Sequence, residues 1–268
     1  MKKKYLMAYG MLFTGVIGAG LYFTQSKPEL KVLQGQQLKY NSIYVQEVGG
    51  LSFSRGVKSE NDYLASIHKV FIAGEFVKNF GPNSPSAIKE YAQYSNLEVA
   101  QSMLVHKDNL IAEQMVEAIG FDKFQDGVRK ASGNSKIELG NGSGCPGAAT
   151  GPHSCNDTGL NKAYSEEDIA KYLAGLTKFI QTNNLEMSKL FMPLVDMDKY
   201  QFINTQNLKP FGIESGMKDQ ESQIVYPLAG VITSTTSNKS YSFVMSGKGD
   251  SRDVFKEQMD ILKTLNDN

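Results

Sequence analysis

The order of its periodic segments is the feature that most constrains how this chain can fold. Strand-like stretches lie near both ends of the sequence, and apolar residues recur at helical spacing between them. The strand-like stretches are 41–53, about 209–217, 224–234 and 241–247, and the helical stretches are 66–80, 97–105, 110–119, 165–180 and about 251–265. The turn pair Gly49-Gly50 divides the first stretch into two short strands. Strands at both ends and helices in the middle predict an α+β domain.

Composition narrows the classes of function. Hydrophobic residues make up 41% of the 268 residues and charged residues 21%, so the chain can bury a core and is not globally disordered. Lys and Arg together number 28, and so do Asp and Glu. This balance argues against nucleic acid as a partner, because nucleic-acid-binding proteins need a basic face.

The N-terminus is typical of a targeting segment. Three lysines at positions 2–4 precede an apolar run at 5–23, and this run approaches the roughly 20 residues needed to span a membrane. The basic residues should stay cytoplasmic, which places the rest of the chain in the periplasm. We expect an inner-membrane anchor at 1–25, a linker at 26–40 and one domain at 41–268. The alternative is a signal peptide cleaved near Ala19-Gly20, which is only a weak cleavage site.

Two cysteines, Cys145 and Cys155, lie in a segment rich in Gly, Pro, Ser and Asn. In an exported protein such a pair is most simply a local disulfide, which would stabilise the fold by about 2–3 kcal/mol. His153 lies between them. Two cysteines and one histidine are an incomplete ligand set, so we expect no metal there.

The segment Ser66-Ile67-His68-Lys69 opens a predicted helix and carries a possible nucleophile. The spacing of three residues places Ser66 and Lys69 on one face of that helix. A serine hydroxyl needs a base to take its proton, and a lysine serves if desolvation or nearby positive charge lowers its pKa. By itself the pattern is weak, because an N-cap serine followed by a solvated lysine would look the same.

Four short segments in order resemble motifs of the penicillin-binding D-Ala-D-Ala carboxypeptidase/endopeptidase family, and the resemblance covers roughly residues 40–265. The segments are Ser66-Ile67-His68-Lys69, Lys107-Asp108-Asn109, Asn141-Gly142-Ser143-Gly144 and Glu214-Ser215-Gly216. The resemblance implies a β-lactamase/transpeptidase-like fold, an antiparallel sheet flanked by helices. It also implies that Ser66 and Lys69 are catalytic. The substrate-binding residues that it implies are Lys107, Asp108, Asn109, Glu214, Ser215 and Gly216.

Two positions depart from the family pattern. Lys107 replaces the serine of the second motif, which the resemblance implies relays a proton to the leaving group. Glu214 replaces the lysine of the third motif, which the resemblance implies attracts the terminal carboxylate of the substrate. Lys107 and Glu214 would pair across the cleft if the two changes are coupled; the other interpretation is drift after loss of function. Lys218 has even spacing from Glu214 and offers another positive charge.

The resemblance implies acyl transfer on peptidoglycan stem peptides through acylation of Ser66, with β-lactams as covalent inhibitors and no cofactor. One alternative is an inactive homologue that binds the cell wall or serves as a scaffold. A lower-ranked alternative is a β-lactamase-like hydrolase, whose deacylating glutamate the sequence does not locate.

Overall fold

The computed structural model of this chain describes residues 37–56, 65–137, 139, 165–183, 185, 190, 208–211, 217–218, 224–234 and 237–267. Its strands are β1 (Asn41–Glu47), β2 (Ser52–Arg55), β3 (Leu208–Phe211), β4 (Met217–Lys218), β5 (Ile224–Thr233) and β6 (Ser240–Lys248). Its helices are α1 (Lys69–Phe80), α2 (Asn96–His106), α3 (Asn109–Ile119), α4 (Phe121–Ser132), α5 (Glu166–Thr182) and α6 (Ser251–Asp267).

The strands form one antiparallel sheet in the order β2-β1-β6-β5-β3, and β4 also pairs with β5. The hairpin between β1 and β2 turns at Gly49, whose φ of 77° lies in the left-handed region that glycine tolerates. The N- and C-terminal strands are thus neighbours in space, with β1 beside β6. The predicted α+β class with an antiparallel sheet is confirmed.

Alternation along β6 sends its side chains into two separate cores. Phe243 and its alternate neighbours pack with Leu262 and other apolar residues of α6. Val244 faces the opposite side, where the core contains residues of α1 to α5. On that side the Ser242 hydroxyl donates to the backbone oxygen of Ala170 in α5 at 2.6 Å. The predicted helices on both faces of the sheet are therefore present.

The start of the domain is bonded to its last helix. The backbone N–H groups of Lys39, Tyr40 and Asn41 all donate to the carboxylate of Glu257 in α6, at 2.7–3.1 Å. The Asn41 side chain also donates to Glu257 at 2.8 Å. Residues 39 and 40, which the sequence assigns to a linker, are thus already held by the domain.

Asn96 joins the end of α1 to the start of α2. Its buried amide donates to the oxygens of Phe80 and Gly81, at 3.2 and 2.8 Å, and accepts from the Ala87 N–H at 2.9 Å. These bonds satisfy backbone groups that the helix ends leave without partners. They also fix the direction of α2, which leads to the predicted second motif.

Among the described residues, no helix is both long enough and apolar enough to cross a membrane. The expected anchor at 1–25 lies outside the described residues, as does the linker up to residue 36.

Candidate functional site

A buried lysine begins α1. A 3-10 turn, Ala65–His68, contains Ser66, and the α-helix starts three residues later at Lys69. Lys69 is only 3% exposed, whereas lysines are rarely buried without a polar partner. The side chain of Ser66 lies outside the described residues. The backbone thus places the predicted nucleophile and its base on consecutive turns of one element.

The Lys69 amine forms a hydrogen bond with a residue of the second predicted motif. Its Nζ donates to Oδ1 of Asn109 at 2.6 Å, although the two residues are 40 positions apart in the chain. Asn109 is the first residue of α3 and is exposed. The structure therefore brings together Lys69 and Asn109 at the surface end of a buried helix.

A tight turn presents Asn109 to Lys69. Lys107 ends α2 with φ 52° and ψ 35°, and the N–H groups of both Lys107 and Asp108 donate to the Met103 oxygen. Asp108 then caps α3, because its Oδ1 accepts from the Ile111 N–H at 3.0 Å. Aspartate is among the preferred N-cap residues. Asp108 therefore shapes the turn through its carboxylate.

Lys107 occupies an unusual backbone conformation. Of the described non-glycine residues, it shares a positive φ only with Asn238. The left-handed conformation costs a residue with a β-carbon about 1–2 kcal/mol, and such costs concentrate at functional sites. Lys107 is half-buried, so its long side chain lies partly against the protein.

Several residues that the sequence analysis names lie outside the described residues: Glu214, Ser215, Gly216, Cys145, Cys155, His153 and Ser143. Lys218 lies in β4, but its side chain is not described. The Lys107–Glu214 pair and the Cys145–Cys155 disulfide stay predictions. Within the described part of the chain, no three His, Cys, Asp or Glu side chains are placed to hold a metal ion.

One half-buried acidic residue on the helix that begins at this site was not singled out from the sequence. Glu113 lies on α3 four residues after Asn109 and is half-buried. Burial raises the pKa of Glu113 above the ordinary value for a glutamate. The signal was present in the sequence as a carboxylate one helical turn beyond the asparagine, a spacing that places both on one face.

Comparison with known proteins identifies the fold. No protein-family model matches the sequence, and no curated protein matches it. Among solved structures, a class A β-lactamase from Bacteroides cellulosilyticus is similar, with a TM-score of 0.57 and 13% identity over 89% of this chain and 94% of that chain.

Two further solved structures give the same result. The extended-spectrum β-lactamase TLA-3 superposes with a TM-score of 0.56 and 13% identity, over 87% of this chain and 96% of that one. A mutant of PBP-A, in an acyl-enzyme complex with penicillin G, superposes with a TM-score of 0.51 and 16% identity, over 88% of this chain and 93% of that one. At these identities the likeness shows the fold alone. The chain has a serine β-lactamase/transpeptidase-like fold.

Proposed function

We propose that this protein is a serine-type acyl-transfer enzyme that acts on the D-Ala-D-Ala end, or a D-amino-acid cross-link, of peptidoglycan stem peptides. The observation that carries the proposal is the buried Lys69 amine, three residues after Ser66 and 2.6 Å from Oδ1 of Asn109. A penicillin-binding protein solved as a penicillin G acyl-enzyme has a similar fold, which supports acylation of a serine here.

Lys69 would act as the base. Removal from water disfavours a charged amine, so a buried lysine gives up its proton more readily than an exposed one. The neutral amine takes the proton from the Ser66 hydroxyl as the oxygen attacks the peptide carbonyl carbon. The peptide C–N bond then breaks, the leaving amine of D-Ala takes a proton, and the ester of Ser66 remains.

Asn109 would hold both the base and the substrate. Its amide oxygen accepts from the Lys69 amine at 2.6 Å. A side-chain amide has its donors on the nitrogen, so the Nδ2 of the same residue is left to donate to a peptide carbonyl of the substrate. The backbone N–H groups at the start of α1 would stabilise the oxyanion.

Lys107 and Glu214 would set the efficiency of the site. A glutamate at the position of the third-motif lysine repels the terminal carboxylate of a D-Ala-D-Ala peptide. Lys107, half-buried in the second motif, lies two residues before Asn109, which accepts from Lys69. We propose that Lys107 and Glu214 pair across the cleft and thereby slow, without abolishing, the reaction.

Release of D-Ala from a stem pentapeptide tests this proposal. We expect slow release by the natural protein and release at least about tenfold faster by the double variant Lys107→Ser with Glu214→Lys, since 1.4 kcal/mol of carboxylate attraction corresponds to tenfold. Ser66→Ala should release none. A peptide that binds both proteins without release of D-Ala would favour the non-catalytic cell-wall-binding alternative.

We also propose export to the periplasm with residues 1–25 as an inner-membrane anchor, and a disulfide between Cys145 and Cys155. The disulfide should protect both thiols from alkylation in denatured, non-reduced protein, as intact mass would show. Modification of both thiols under these conditions would contradict the disulfide. A mature chain that begins near Leu21 would contradict the anchor.

A further inference from the structure

A buried glutamine of α6 bridges two strands of the sheet. Gln258 is fully buried, and its amide nitrogen donates to the Asn41 side-chain oxygen at 3.0 Å and to the Tyr226 backbone oxygen at 2.9 Å. Asn41 begins β1 and Tyr226 lies in β5, so the bridge crosses β6, the strand between them. A side-chain amide nitrogen carries two hydrogens, and both are used here. Gln258 thus ties α6 to β1 and β5 at one level of the sheet.

Gly247 of β6 makes room for this bridge. It pairs with Asn41 on one side and with Tyr226 on the other, so the three residues form one row across the sheet. A β-carbon at position 247 would clash with the Asn41 side chain and with Val254 of α6. The helix therefore lies close enough for its glutamine to reach both strands because position 247 has no side chain.

The bond to Tyr226 supports β5 at a weak point beside the third predicted motif. Pro227 is the next residue, and β5 is a central strand, where a proline removes a hydrogen-bond donor from the ladder. On the outer side of β5, Met217 of β4 pairs with Val225, the residue before Tyr226. Met217 directly follows the motif at 214–216 in the chain. The strand that leads out of the motif is thus held against the part of β5 that the glutamine bridge supports.

We propose that Gln258 is a positioning residue for the third motif and thereby sets how well the cleft binds its substrate. The inference rests on the proposed function, in which residues of this motif bind the substrate. Without the bond to Tyr226, β5 would shift beside Pro227, and β4 would move with it. A misplacement of about 1 Å caused far from the reacting atoms can reduce activity about 100-fold.

The rate of adduct formation at several concentrations of penicillin G, followed by intact mass, tests this role. Gln258→Met keeps the length of the side chain but removes both donors, so the half-saturating penicillin concentration should rise at least about tenfold. The limiting rate should stay within about threefold of the natural one, because Ser66 and Lys69 lie on other elements. Gln258→Leu provides the same test if Gln258→Met does not fold.

Two control variants separate positioning from a general loss of stability. Leu262→Ala shortens a buried apolar side chain one turn further along α6. It should lower the melting temperature and leave the half-saturating concentration unchanged. Asn41→Ala removes one acceptor of Gln258 but keeps the bond to Tyr226, so it should also leave this concentration unchanged.

The outcomes distinguish the positioning role from the proposed function. An equal half-saturating concentration in the natural protein and in Gln258→Met would overturn the role of Gln258 alone. The same conclusion would follow if either control variant raised the concentration as much as Gln258→Met does. A natural protein that forms no adduct would overturn acylation of Ser66, and the positioning role with it.

Discussion

Replacing Lys69 with arginine should slow acylation of Ser66 by penicillin about 10³-fold. Arginine keeps the positive charge and can still donate to Asn109, but its guanidinium does not lose a proton at accessible pH. The variant therefore separates the basic function of Lys69 from its structural bond at 2.6 Å to Asn109. The measurement is the rate of adduct formation, followed by intact mass at several penicillin concentrations.

Position 69 is only 3% exposed, and arginine is larger than lysine. A second variant therefore separates the loss of the base from the effect of size. Lys69→Met has similar length and cannot take a proton, so it should show the same loss. Lys78→Arg, on the same helix, is the matched control and should acylate at the natural rate. Acylation by Lys69→Arg and Lys69→Met within threefold of the natural rate would show that Lys69 is not the base.

Replacing Glu75 with alanine should lower the free energy of unfolding by about 3 kcal/mol. The Glu75 carboxylate is buried between α1, α4 and α5 and accepts from the Tyr172 hydroxyl at 2.8 Å and from Lys78 at 3.0 Å. It lies so close to Gly127 of α4 that a β-carbon there would clash with it. The variant loses both bonds and leaves a cavity where three helices meet.

The expected loss of stability depends on the two partners that Glu75→Ala leaves without a carboxylate, Lys78 and Tyr172. Lys78 is about a fifth exposed, with 21% of its side chain accessible, so it can turn to water. Tyr172 is fully buried, and in the variant its hydroxyl can donate to the Phe71 backbone oxygen, which is 3.2 Å away. The expected loss is therefore at the lower end of the range for breaking a buried pair, about 3–5 kcal/mol.

Urea denaturation measures the loss of stability in Glu75→Ala, and an ion pair on the protein surface provides the matched control. Glu167 and Lys171 form an ion pair at 2.6 Å on the surface of α5, and Glu167→Ala should cost less than about 1 kcal/mol. Equal losses for Glu75→Ala and Glu167→Ala would mean that the buried cluster of Glu75, Lys78 and Tyr172 does not stabilise the junction of the three helices.

Strong helical periodicity and capping residues made most of the fold predictable. Ser165 and Asp168, for example, form a capping box at the start of α5, where the sequence places Ser165 before an amphipathic stretch. The predicted helix at 66–80 instead opens with a 3-10 turn before α1.

Helix α4 was not predicted from the sequence. It buries only Phe124, Val128 and Ser132 in an otherwise polar segment, and Gly127 lies near its centre. Glycine disfavours a helix interior; here it is required by the close approach of Glu75. This reason lies in tertiary packing, which local sequence patterns do not reveal.

The candidate site, like the fold, could be predicted only in part from the sequence. The resemblance to penicillin-binding enzymes places Lys69 and Asn109 in adjoining motifs, but only the structure shows their contact at 2.6 Å. The N-cap role of Asp108 was not foreseen from the sequence, and its place in the substrate cleft stays a prediction. The left-handed backbone of Lys107 could not be predicted, because residue preference alone would place glycine or asparagine there.

The mass and location of the penicillin G adduct on the domain at 41–268 test the central claim most directly. We expect the natural protein to gain the mass of one penicillin G, peptide mapping to place it on Ser66, and Ser66→Ala to remain unmodified with an unchanged melting temperature. A natural protein that stays unmodified, or an equal adduct on Ser66→Ala, would contradict the assignment of Ser66 as the nucleophile.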